Sequence, residues 1–448
     1  MDHNSLTADY LAGYAAGASA QQVAETVQRS VEATSYRARA LTRPVFLGYH
    51  EHQQLAADLD NVHDAIVAIP NRLFGGDIKR FIDAVGMDEV QAAAVLRSHR
   101  GTPVRLSRAD LCLTKDGFRL IELNMGSTMA GFDNGFLNES MLEQPYIAEF
   151  VAQHRLGYLD SVAELAHTIL VECKAPTGSR PVMAIADWPE SFVTLEPHLR
   201  KSAALLAQHD LDPLVCHVGQ LSFADGAVWL GDRKLDIVYR LWSMPDLMTP
   251  EGPGLIDPVL AAVQRHEVEI FAPMDTYLYG SKGALAIIAG EEYRPLLTDA
   301  ERESIDRLLP WTAMVRPGPV RVGDRRVDLL DHAIAQRTNL VLKPTLLYGG
   351  LGVVAGWLTE PDDWRQQVEA AMDGPYVLQE RVDPNVEMFP SEHGLQPWTA
   401  IWAQFTMARG AAGIWIRAVP GDQSTIVNMT QGATGTCCFV ELSSPDPC

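Results

Sequence analysis

VRLSRADLCLTKDGFRLIELN, residues 104–124, alternates apolar and polar side chains on either side of Lys115-Asp116-Gly117. That alternation is the pattern of a β-hairpin, with Gly117 supplying the left-handed turn residue. With residues 115–117 as a three-residue loop, Thr114 faces Phe118 and Asp110 falls opposite Glu122. Both carboxylates then share a face with Arg108 and Asn124, which are in phase with them. Directly paired positions hold β-carbons about 4.5 to 5.5 Å apart, where like charges destabilise the sheet unless a cation sits between them. Asp110, Glu122 and Asn124 offer only hard oxygen ligands, which suits magnesium, an ion that keeps its other positions for water and phosphate oxygens. Arg108 adds a fork of donors for a transferring phosphoryl group. A solvated hairpin face of mixed charge is the other reading of these residues. The stretch 126–131, which contains Ser127, is made of small residues that permit close approach of a ligand, as they would permit a plain loop.

A second feature lies far downstream. Leu340-Val341-Leu342-Lys343-Pro344 puts a lysine at the end of an apolar strand, and Tyr348-Gly349-Gly350-Leu351-Gly352 leads into the next one. Gly349 and Gly350 let backbone N–H groups approach an anion, so strand, flap and strand can cover phosphates; an ordinary turn is the alternative. The lysine precedes the glycines and no helix follows, which excludes a Walker loop. Further on, Gln379-Glu380-Arg381-Val382 ends a strand whose exposed backbone can pair with a nucleotide base, and Glu387 is placed to accept from ribose hydroxyls. Arg417 sits on an alternating strand ahead of Asn428. For Glu387 and Arg417 the bland reading is a surface side chain.

Around these features the chain alternates in type. Residues 21–43 and 61–99 have helical periodicity, as do 156–171, 195–209 and 282–309, the last stopping at Pro310. Apolar runs at 182–186, 214–217 and 237–239 separate helices, the alternation that builds a parallel sheet. Strand-like runs dominate from residue 339 on, at 340–343, 352–356, 376–381, 399–407 and 413–419. The expected division is a helical region 1–100, a segment 101–174 carrying the hairpin, an α/β unit 175–275 and nucleotide-binding lobes 276–448.

The 448 residues are 47% hydrophobic and 21% charged, enough for several packed lobes and unlike a disordered or fibrous chain. A net charge of -21 repels a nucleic-acid backbone, so no nucleic-acid partner is expected. No stretch is apolar enough to span a membrane and the first residues do not form a secretory signal, so no membrane partner and a cytoplasmic location are expected. Six scattered cysteines fit reduced thiols better than disulfides or a zinc site. The thirteen histidines lack H-E-x-x-H spacing and no G-x-S-x-G elbow occurs, which leaves hydrolases without support. Trp188, Arg240, Trp242, Trp398 and Trp402 are pocket candidates, with core packing as the alternative for the tryptophans.

Arg108-x-Asp110 followed by Glu122-x-Asn124, and both ahead of the lysine strand, resembles the glutathionylspermidine synthetase-like branch of the ATP-grasp superfamily, in its circularly permuted form. The resemblance implies a mixed α/β, permuted ATP-grasp fold with an intervening α/β domain, and ATP with Mg2+ as cofactors. It implies that Asp110, Glu122 and Asn124 hold the metal, and that Lys282, in Gly280-Ser281-Lys282, binds nucleotide. Lys343 then contacts phosphate, Arg108 and Arg417 face the transferring phosphoryl group, and Arg240, near a strand similar to one of the intervening domain, joins Ser127 and Asn428 on the substrate side. The implied activity joins a small-molecule or peptide carboxylate to an amine through an acyl phosphate, releasing ADP and phosphate. Phosphotransfer to a hydroxyl, or nucleotide binding without catalysis, would use the same groups. Nothing in the sequence names the two substrates or the oligomeric state.

Overall fold

The computed structural model describes residues 1–14, 40–126, 131–391, 393–421, 427 and 432–443. The expected helix at 21–43 falls mostly outside them. Helices follow at Tyr49–Val67, Ile69–Phe74, Ile78–Val85 and Glu89–Ser98. Pro70 does not end a helix but opens one, at a position where its missing N–H costs nothing. Leu55, Leu59, Val62 and Ile66 form a buried stripe at helical spacing on Tyr49–Val67. That stripe belongs to the same core as Ala109, Leu111 and Leu123 of the hairpin and Trp402 and Ile416 of later strands.

Those strands make a mixed eight-stranded sheet. From one edge it runs Gly117–Met125, Ser107–Thr114, Gly394–Met407, Gly410–Pro420, Thr434–Glu441 and Val45–Leu47, with Val386–Ser391 and Leu156–Gly157 paired onto it. Neighbours are antiparallel except Val45–Leu47, which runs parallel to Thr434–Glu441. The acidic hairpin is thereby stitched to the far end of the chain, with Asp110 opposite Ala403.

Asp110 does face Glu122, by a route other than the expected one. The turn is tighter, with Thr114 paired to Gly117 across Lys115-Asp116. The Thr114 hydroxyl donates to the Gly117 carbonyl and accepts from the Asp116 amide, which closes the turn early. An extra residue, Ile121, bulges between the pairs Leu111–Leu120 and Asp110–Glu122 and restores the register. Glu122 and Asn124 thus return to the face of Asp110 and Arg108, while Leu123 turns into the core.

The α/β unit is a fully parallel sheet in the order Glu269–Phe271, Ile237–Arg240, Val182–Asp187, Asp212–His217, as the apolar runs predicted. A third, antiparallel sheet (Thr312–Met314, Tyr376–Glu380, Leu340–Pro344, Val354–Ala355) carries Lys343 and packs beneath Leu329–Ala335 and Pro361–Ala371. The helix expected over 282–309 is instead Lys282–Ala289, a short turn and Asp299–Leu308. Thr298 caps the second piece, starting a new helix inside the periodic run. No helix among the described residues is long and apolar enough to cross a membrane.

Candidate functional site

The polar face of the hairpin, the lysine strand and the start of Lys282–Ala289 meet in one cavity of about 1250 Å³. Arg417 enters from Gly410–Pro420, one strand beyond the neighbour of the hairpin, and its guanidinium meets Asp110 Oδ1 at 2.8 Å. Arg108 Nε contacts the same carboxylate at 3.0 Å, and Asn124 Nδ2 lies 3.3 Å from its other oxygen. Burial pushes the Asp110 carboxyl up, but Arg108 and Arg417 together more than offset that and hold it below its ordinary value.

Lys282 is buried, and its ammonium donates to Glu122 Oε1 at 2.9 Å and to the Leu347 carbonyl of the flap at 2.7 Å. It occupies the first turn of a helix capped by Ser281, where the positive end of the backbone dipole disfavours a cation unless an anion is near. Gly280 makes the approach possible, since a β-carbon there would lie 2.7 Å from the Met125 amide nitrogen of the hairpin. Lys343 donates to Gln379 Oε1 at 2.6 Å and to the Ile121 carbonyl at 3.2 Å. Burial pulls its pKa down to about 8; Glu122 resists the shift and Lys282 adds to it. Two arginines and two lysines therefore surround two carboxylates, an excess of positive charge in a protein of net charge -21.

Asp110, Glu122 and Asn124 fit a magnesium ion by donor type, two carboxylates and an amide on one face. Among the described residues no group of three His, Cys, Asp or Glu side chains is placed to hold a metal. A cation at this hairpin would draw its remaining oxygens from phosphate and water.

Gly349, Gly350, Gln379, Glu380 and Val382 all line the cavity. The amides of Glu380 and Arg381 already donate to the carbonyls of Trp311 and Asn339. Gln379 is buried and orients Lys343 rather than facing a base.

Glu387 does not reach the cavity. It is buried between Arg43 and His3, at 2.9 and 2.8 Å, and ties the first helix to the sheet. The strand register that aims Asp110 inward turns Glu387 to the other side. Glu387→Gln should cost about 3 kcal/mol of stability in urea denaturation, because Arg43 stays buried without its counter-charge. Arg240 is likewise structural. Fully buried, it donates to the carbonyls of Ala272 and Trp242 and to Thr276, holding the loops after the parallel strands. Trp188, Trp242 and Trp402 are core residues and Trp398 packs against the same core; the tryptophans lining the cavity are Trp357 and Trp415. Ser127 and Asn428 lie outside the described residues.

Sequence reasoning passed over Asp187, which lines the cavity from the end of the strand Val182–Asp187. The signal was there: one acidic residue closing an apolar strand before Pro189 opens a helix.

No family model and no curated protein matches the sequence. Among solved structures, the chain is similar to a glutathione synthetase-like effector, GSS30, from Globodera pallida, with 11% identity, a TM-score of 0.57, and 95% of this chain and 98% of that one covered. Slighter likenesses join it to a putative gamma-glutamylcysteine synthetase from Methylobacillus flagellatus KT (11% identity, 84% and 88% covered, TM-score 0.40) and to D-alanyl-alanine synthetase A from Vibrio cholerae O1 biovar eltor (10%, 61% and 77%, 0.28). The first likeness runs nearly end to end in both chains and, at such low identity, speaks for the fold alone. The chain thus shares the mixed α/β fold of a glutathione synthetase-like effector.

Proposed function

We propose that this protein is an ATP-dependent carboxylate–amine ligase. The observation that carries the reading is the convergence of Arg108, Arg417, Lys282 and Lys343 on the two hairpin carboxylates inside one cavity, with a glycine flap over it. The excess positive charge fits a polyphosphate. The cavity exceeds the roughly 300–1,000 Å³ of a single-ligand pocket, which leaves room for more than a nucleotide. The order of the elements, hairpin before lysine strand, supports a circularly permuted ATP-grasp of the glutathionylspermidine synthetase-like branch.

In this reading a carboxylate oxygen of one substrate attacks the γ-phosphorus, the bond to ADP breaks, and an acyl phosphate forms. The amine nitrogen then attacks the carbonyl carbon, phosphate leaves, and the amine loses a proton. Arg108 and Arg417 neutralise the equatorial oxygens during transfer, while Lys282 and Lys343 hold the nucleotide phosphates. Asp110, Glu122 and Asn124 would hold magnesium, which when bound neutralises phosphate charge. The flap excludes water from the acyl phosphate. Incubation with ATP, a panel of small carboxylic acids and hydroxylamine should yield a hydroxamate together with ADP. A stable phosphorylated product in its place would assign the protein to phosphotransfer, and no ADP with any acid would leave only nucleotide binding.

A further inference from the structure

The cavity continues past the charged centre to the parallel sheet. There the strand order reverses: the chain steps from Val182–Asp187 outward to Asp212–His217, then returns to lay Ile237–Arg240 on the opposite side of the first strand. Connections on either side of such a reversal splay apart, and the crevice outside the carboxyl ends of the strands is where open parallel sheets bind ligands. Asp187 is the last residue of the strand at that crevice.

Asp187 as a whole is 4% exposed. Oδ1 accepts the Trp188 amide at 2.8 Å, whereas Oδ2 has no hydrogen bond. The charged group acting on it is Asp246, of the same sign, and burial pushes its carboxyl above the ordinary range despite the Trp188 amide and the Ser191 hydroxyl. A buried carboxylate normally comes with a cation, because desolvation without one costs several kcal/mol. Asn134, also buried, lines the same cavity with both ends of its amide unused, and Ser202 lines it near the other end of the helix that Pro189 opens. Ile185 and Leu199 supply apolar wall.

We propose that this end of the cavity binds the protonated amino group of a small substrate, with Asp187 as its counter-ion. The proposal rests on the ligase reading only in making that molecule one of the two joined. A neutral donor would leave the Asp187 charge uncompensated beside Asp246; an ammonium group compensates it.

The test is calorimetric titration of the whole protein, without nucleotide, using 1,4-diaminobutane and the twenty standard amino acids, each beside its N-acetylated form. At least one free amine should bind while its acetylated form does not. Asp187→Asn should weaken that binding by at least about thirtyfold, as loss of one partner from a buried charge pair does. Asp187→Ser is the second variant should the first fail to fold. ATP titration of each variant should match the wild type. If no panel member binds through its amino group, or if Asp187→Asn binds as tightly as wild type, Asp187 is a protonated structural carboxyl and the proposal falls. Amine binding that survives in a protein unable to bind ATP would instead sink the ligase reading alone.

Discussion

Asp110→Asn should lower ADP formation by about 10²- to 10³-fold while changing the dissociation constant of ATP far less. Asp110 lies where two arginines and Asn124 converge, and its charge holds both guanidinium groups in their present geometry. The amide keeps the shape and part of the hydrogen bonding but removes the charge. Arg108 and Arg417 then repel each other across a buried site, and the proposed magnesium site loses one of its two carboxylates. Both effects fall mainly on the transition state, when charge spreads over the transferring phosphoryl group. Steady-state ADP release beside equilibrium ATP titration separates the two quantities, and unchanged turnover would remove Asp110 from the mechanism.

Lys343→Met should lower ADP formation by a similar factor, about 10²- to 10³-fold, and at the same time stabilise the ligand-free protein. Lys343 is held to a pKa of about 8 chiefly by burial, with Lys282 beside it, so at neutral pH its charge is a burden on the folded state. The folded pKa lies below the unfolded value, so the folded state binds fewer protons between about pH 8 and pH 10.5 and this residue's contribution to stability rises across that window. Below pH 8 the burden is present in full, and the variant should melt about 2 °C above the wild type; the gap should close as pH rises above 8. On the proposed assignment of Lys343 to the nucleotide phosphates, wild-type ATP affinity should weaken over the same window, as its ammonium loses its proton. Glu122→Gln is the opposite case. It leaves Lys282 and Lys343 without their nearest counter-charge, and should cost about 1–2 kcal/mol at pH 7 as well as turnover. Melting curves of the three proteins between pH 6.5 and 10 check these signs together, and equal melting at every pH would show that Lys343 carries no burial penalty.

The residues that failed as site candidates failed for one reason. Glu387 and Arg240 are charged residues on strands, and alternation alone does not say which face of a strand looks into a cleft and which into the protein. Arg240 turned out to satisfy carbonyls in the loops that follow the parallel strands, and Glu387 to anchor the first helix. Trp402 likewise sits on the face shared with Leu111, across the sheet from the side that carries Arg417.

Local chemistry determined the hairpin, the parallel strands and the lysine strand, because side-chain alternation, turn residues and apolar runs act over a few neighbouring positions. It placed Asp110 opposite Glu122 even though the turn is shorter than its composition suggests, the bulge at Ile121 making up the difference. Only the tertiary structure decided that Lys343 would reach a backbone carbonyl of that hairpin from 222 positions away, that Arg417 would share Asp110 with Arg108, and that Asp187 would close the far end of the same cavity. Such contacts depend on how three separately formed sheets pack against one another, and packing is fixed by the fit of surfaces contributed from the whole chain.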